Sequence, residues 1–334
     1  MASRKAASHP LLCDNTRVVV WLIRLTNENL DRRSRLVKTA AYYATFVVYG
    51  GVVAALGPTL PELAAQTQTA LTAISFLFTA RSLGYMVGSL SGARLYDRLP
   101  GHPLLAGTLL VLAAMLAVIP LQHMLWLLAV VMIVRGVADS VVAVGTNALL
   151  LSVHPRDSGP FVNGLHFCFG LGASLSPMAV AWVGRSLNDG LAAYWLLALL
   201  VLPVAGWIAR LPSPTRQVPA LAERPATRAG YGLVALAAVF LFLYAGIESS
   251  FGGWIYSYAL ARHLATESAA AYLTSAFWGA ITSGRLLAVL LAAYLPPARL
   301  ILADLLGVLA SLALFLFFPG SPAVVYHCYN TPTR

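Results

Sequence analysis

"YGGVVAALG" occupies residues 49–57, and "YAGIESSFG" occupies residues 244–252. Both read Tyr-x-Gly, then Val or Ile, three free positions, Leu or Phe, and Gly. The copies start 195 residues apart. A pattern that returns at this distance divides the chain into two similar halves. The second copy lies in Tyr231–Leu260, a stretch whose only charged residue is Glu248. The first copy has Val53 at the equivalent position, so the carboxylate belongs to one half alone.

Both copies sit in long apolar runs. Hydrophobic residues make up 59% of the 334-residue chain and charged residues 10%. Soluble domains carry about a quarter charged residues, so this composition points to a membrane protein. About 20 mostly apolar residues are needed to cross a bilayer. Nine runs qualify, near 40–59, 69–92, 104–122, 125–151, 161–184, 191–210, 231–258, 271–294 and 300–318. Helices are expected, because lipid offers no partner to a bare backbone N–H or C=O. The two-residue alternation of a β-barrel is absent.

The net charge of +10 follows the same layout. Sixteen Lys and Arg fall before the first run or in the loops after the second, fourth, sixth and eighth. The other loops hold only Arg185 and Arg262. The positive-inside rule then places the N-terminus in the cytosol. The basic balance is explained by topology, and no nucleic-acid partner is expected. Cys13, Cys168 and Cys328 form no metal or disulfide framework.

The expected organisation is a cytosolic, irregular tail over 1–38, a six-helix bundle over 39–210 and a polar cytosolic linker over 211–230. A partial second bundle of three spans over 231–318 and a non-helical tail over 319–334 complete it. Repeated halves about an axis normal to the membrane are a transporter architecture.

The loop "GSLSGARLYDRLPGH" (88–102) resembles the cytosolic signature of the major facilitator superfamily. Asp97 and Arg98 match it. The usual glycine four before the aspartate is Ala93 here, with Gly92 one position early, and the basic pair is reduced to His102 and Pro103. "FTARSLGYMVGS" (78–89), "NGLHFCFGLGASLSP" (163–177), "FLYAGIESSFGGWIYSYA" (242–259) and "YLTSAFWGAITSGRLLA" (272–288) are similar to the branch holding the sodium-dependent glucose transporters, relatives of the fucose permeases. The resemblance covers about residues 40–318. It implies sugar transport by alternating access, with Gly92, Asp97 and Arg98 in a cytosolic gate. That superfamily has twelve spans and this chain supports nine, so a truncated, non-transporting membrane protein is the alternative expectation.

Ionisable residues inside a span are costly and usually face a cavity or a partner. Arg81 lies mid-span. Arg135 and Asp139 share a face at i, i+4, either as an internal ion pair or as a group that exchanges a coupling ion. Asn147 extends the same stripe beyond Thr146. Asn163 and His166 share another face with aromatic residues following, and His166 is either a packing residue or a cavity group. Tyr244 and Glu248 stand at i, i+4 as phenol and carboxylate. Trp254, Tyr256 and Tyr258 are read as an interfacial aromatic belt. Gly84, Gly88 and Gly92 form a small-xxx-small ladder for close helix packing.

Sugars bind through hydroxyl hydrogen bonds and apolar ring faces. The candidate substrate contacts are Tyr49, Asn147, Asn163, His166, Tyr244, Glu248 and Trp278. The candidate buried-charge or ion-coupling residues are Arg81, Arg135, Asp139 and Glu248. No cofactor or metal is expected beyond a coupling Na+ or H+, and the protein is expected as a monomer in the plasma membrane. An enzyme is not expected: Asp139 and Glu248 lie in no hydrolase motif, and HExxH is absent.

Overall fold

Among the described residues each of the nine apolar runs falls mostly on helix. The structure, a computed structural model, describes residues 12–156, 158–214, 228–292 and 294–317. The helices are α1 (Leu12–Ala54), α2 (Leu56–Gln66), α3 (Leu71–Ile74), α4 (Phe76–Arg98), α5 (Gly101–Val118), α6 (Leu125–Val153), α7 (Ser158–Leu187), α8 (Ala193–Ala209), α9 (Arg228–Ala261), α10 (Glu267–Ala292) and α11 (Pro297–Phe317). Among the described residues there is no strand. Seven helical stretches among them are long and apolar enough to cross a membrane, the first starting at Arg32 and the last ending at Ala261.

The segment expected as an irregular tail is corrected in part. The backbone is helical from Leu12, so 12–38 runs continuously into the first span. The expected tail at 319–334 lies outside the described residues, as does most of the linker.

Two spans are broken. α1 ends at Ala54 and α2 starts at Leu56, with Pro58 in its first turn, where a missing N–H costs little. The second span breaks between α3 and α4 at Ser75. Carbonyls near such breaks become available to outside donors.

The chain divides into two units, Met1–Thr282 and Ser283–Arg334. In the first, α4 packs on α6, α1 on α7, α5 on α8 and α2 on α9. Glycine sets the closest approaches. Gly84 and Gly88 lie against the carbonyls of Ile133 and Val137, and Gly136 answers from α6 against the carbonyl of Arg81. A Cβ at any of the three would collide with backbone. The ladder expected in the second span is therefore the α4–α6 contact. Gly92 packs more loosely, its Cβ position 3.4 Å from Val141. In the same way Gly50 lies against Phe169 and Gly172 against Val47 across α1 and α7.

α9 joins this unit near the C-terminal end of the repeated pattern. Gly57 lies against the backbone of Gly252 and Gly253, and the Phe78 ring packs on Gly253 and on Trp254, 5.8 Å between ring centroids in the latter pair. The expected interfacial belt is thereby corrected. Tyr256 is buried and Trp254 packs inward on Phe78, while only Tyr258 of the three is exposed. The second unit contains the end of α10 and all of α11. Ile301, Leu302, Leu305 and Leu306 of α11 are exposed, a surface suited to an apolar surrounding.

Candidate functional site: a buried ion cluster beside an aromatic row

The α4–α6 glycine contact has a direct consequence for charge. It brings Arg81 beside Asp139, three residues beyond Gly136. Arg81 Nε donates to Asp139 Oδ2 at 2.7 Å. Arg135 Nε approaches the same oxygen at 3.7 Å. The expected Arg135–Asp139 pair within one helix is present as the longer contact, and a shorter bond from Arg81 crosses between helices, because the glycines let two backbones meet.

Arg135 is fully buried, and its Nη2 donates to the Val52 carbonyl at 2.6 Å. That carbonyl lies in the last turn of α1, just before the break at Ala55. The Tyr194 hydroxyl sits 2.8 Å from Thr59 Oγ1 and also faces Arg135. Arg135 therefore ties α6 to the broken first span and to α8. Arg81 differs, since its side chain keeps 17% exposure. Two guanidiniums surround one carboxylate, so the cluster carries an excess positive charge.

Tyr49 connects this cluster to aromatic side chains. It is 6% exposed, and its hydroxyl meets that of Tyr85 and feels the charges of Asp139 and Arg81. Its ring lies 5.5 Å from that of Phe169, and Phe169 lies 6.0 Å from Trp278 in an edge contact. On the other flank Phe46 lies 5.7 Å from Tyr49 and 5.8 Å from the half-buried His166. Trp278 is 5% exposed, packed with Ala54 and Ala173. Its Nε1 meets no acceptor among the described residues. A buried indole N–H without an acceptor is costly, and a ligand hydroxyl is the kind of group that relieves it.

The sequence-derived candidates separate by position. Tyr49, His166, Trp278, Arg81, Arg135 and Asp139 are brought into this one region. Asn147 is half-buried and spends its amide on the Ala143 carbonyl at 2.9 Å. Asn163 is exposed, Tyr244 is 44% exposed and Glu248 is half-buried on α9. Gly92 is buried, and Asp97 and Arg98 are exposed at the end of α4. Sequence reasoning missed Phe46 and Tyr85. Both recur at helical spacing with a named candidate, Phe46 three residues before Tyr49 and Tyr85 four after Arg81, which is the signal that would have found them.

Among the described residues no group of three metal-ligating side chains is present.

Residues 42–329 match the family model described as Major Facilitator Superfamily. The chain is 31% identical over 322 residues to a mouse protein named Sodium-dependent glucose transporter 1A, covering 85% of this chain and 76% of that protein. It is 30% identical over 295 residues to Sodium-dependent glucose transporter 1 of Xenopus laevis, covering 79% of this chain and 60% of that one. A zebrafish relative, Major facilitator superfamily domain-containing protein 4A, is 28% identical over 383 residues, with 88% and 73% covered. The glycine-closed helices, the repeated lead pattern and these matches agree: the chain belongs to the major facilitator superfamily, a family of transporters rather than enzymes, and is an all-α, multi-pass integral membrane protein.

Proposed function

We propose that the chain moves a hexose-like sugar across a membrane by alternating access. Tyr49 carries this reading. Its ring extends the aromatic row of Phe169 and Trp278, while its hydroxyl meets Tyr85 within the field of the Arg81–Asp139 pair. A hexose presents both apolar ring faces and hydroxyls, and such a junction matches both. The names of the mouse and Xenopus relatives support the same substrate class.

In this mechanism Tyr49, His166 and Trp278 hold the sugar, and the two halves rock about the contact of their lead helices. Tyr244, Asn163 and Asn147 contact it in other conformations of the cycle. Arg135 fixes the broken first span through Val52. The coupling ion is Na+ or H+, and Glu248 takes it. Asp139 is the weaker choice, because two guanidiniums beside it repel a further cation. The gate at Gly92, Asp97 and Arg98 closes the cytosolic end. The protein works as a monomer in the plasma membrane with its N-terminus in the cytosol.

A second reading is a non-transporting partner of a longer relative. Leu233, Val234 and Leu236 of α9 are 67–70% exposed, a surface that another chain's helices would cover. Uptake of labelled hexose by vesicles holding the purified chain separates the two. Saturable uptake lost in Trp278→Ala supports transport. No uptake by folded chain, together with co-purification of a full-length relative, supports the second.

A further inference from the structure

A groove of about 260 Å3 lies between the start of the first span and the segment that follows α8. It is lined by Arg33, Ser34, Val37, Lys38, Leu211 and Pro212. Arg33 and Val37 are one helical turn apart, as are Ser34 and Lys38, so α1 presents one continuous face to it. The opposite wall is apolar.

That wall is held in place. The His102 backbone N–H donates to Ser213 Oγ at 3.1 Å, and His102 Nδ1 lies 3.0 Å from the Leu211 carbonyl. His102 Nε2 lies 2.7 Å from the Tyr42 hydroxyl, one turn beyond Lys38 on α1. His102 is itself fully buried. The groove is thus fixed to α1 through Tyr42 and to the linker through His102.

Its chemistry is one-sided. Two cations and a hydroxyl line it, and among the described residues no carboxylate does. Arg32 and Arg35 flank it on α1, and Arg210 directly precedes Leu211. Val37, Leu211 and Pro212 supply the apolar remainder. A free inorganic anion would use the cations and gain nothing from that wall. An anionic phospholipid uses both.

We propose that this groove binds the headgroup of an anionic phospholipid of the inner leaflet. The phosphate sits between Arg33 and Lys38, Ser34 donates to it, and an acyl chain follows Val37, Leu211 and Pro212. Basic clusters at the cytosolic edge of a span attract such lipids by about 1 kcal/mol per charge. The bound lipid links α1 to the start of the linker between the halves.

The test is native mass spectrometry of the purified full chain titrated with dioleoyl phosphatidylglycerol or dioleoyl phosphatidylcholine. The expected result is a saturable phosphatidylglycerol adduct. Arg33→Gln with Lys38→Gln weakens it about 25-fold, while Arg94→Gln with Arg156→Gln, equally basic positions elsewhere, changes it less than about twofold. Val37→Trp, which fills the groove without altering charge, also removes the adduct. Equal losses in both glutamine pairs would mean diffuse surface attraction and overturn the proposal. So would equal binding of phosphatidylcholine, an adduct that survives Val37→Trp, or displacement of the lipid by millimolar inorganic phosphate.

Discussion

Gly57 meets the backbone of Gly253: a Cβ on Gly57 would stand 2.8 Å from the Gly253 carbonyl oxygen and 3.1 Å from that of Gly252. Gly57 ends the first copy of the repeated pattern and Gly252 ends the second. The two copies thus cross at equivalent glycines, and neither backbone can yield cheaply. Gly57→Ala is expected to cost about 1–3 kcal/mol in this conformation, which pushes α2 from α9. The check is oxidative cross-linking of Phe78→Cys with Trp254→Cys in a background lacking the native cysteines. Yield should fall when Gly57→Ala is added. An unchanged yield would show that the glycine contact does not hold the helices together.

Asp139 serves two guanidiniums, so its loss strands more charge than the loss of either arginine. Asp139→Asn is expected to destabilise the folded chain by about 3–5 kcal/mol, the usual cost of breaking a buried pair. Arg81→Gln, whose side chain is partly exposed, should cost less. The double variant should cost less than the sum of the two. Thermal unfolding in detergent measures all three. Additive losses would mean that the 2.7 Å contact carries no coupling.

The fold was legible because apolar length and charge placement act locally along the sequence. The described residues of all nine runs lie mostly on helix, and the glycine spacing of the second span marks the surface that packs on α6. The site was legible in its residue types and not in its pairings. Arg135 and Asp139 looked self-sufficient at i, i+4. Their sequence gives no hint that Gly84, Gly88 and Gly136 bring Arg81 closer still. Only the charge count points that way: two arginines against one aspartate leave an unbalanced charge. The same holds for Arg135, whose carbonyl partner at Val52 is open only because the helix breaks at Ala55. Pro58 marks that break, but nothing in the sequence says which side chain answers it.

Trp278 offers a test of substrate contact separate from packing. Trp278→Phe keeps a large ring beside Phe169 and removes only Nε1. If that N–H donates to a sugar hydroxyl, KM for hexose should rise about fivefold to tenfold, the worth of one hydrogen bond, with the melting temperature nearly unchanged. A drop in melting temperature with unchanged KM would assign the indole to packing alone.

His154 gives a pH dependence outside the spans. Its ring stacks on Phe161 at 3.5 Å, and its Nε2 lies 2.7 Å from Thr39 Oγ1. Burial, with the charge of Arg35 adding to it, holds its pKa below the ordinary 6.5. The folded chain therefore favours the neutral ring. The stabilisation is complete above the unfolded value and is lost as pH falls through the folded one. Melting curves taken from about pH 7.5 down to about pH 5 should show a drop that is smaller in His154→Gln. Equal drops in both proteins would remove His154 as the source.

Glu248 is the final case, because it is the one charged residue in either copy of the repeat. Val53 holds the equivalent place in the first half, next to the carbonyl that receives Arg135. The scaffold therefore tolerates an apolar side chain there, and an ionisable group in an apolar helix usually faces a cavity or a partner. Glu248→Gln preserves shape and removes the charge. If Glu248 takes the coupling ion, uptake should lose its dependence on Na+, or on pH if the ion is H+, while hexose still binds to the detergent-solubilised chain. Asp139→Asn should leave the ion dependence of whatever uptake survives. Retained Na+ dependence in Glu248→Gln, with loss in Asp139→Asn, would exchange the two roles and show that a carboxylate between two arginines can still accept a cation.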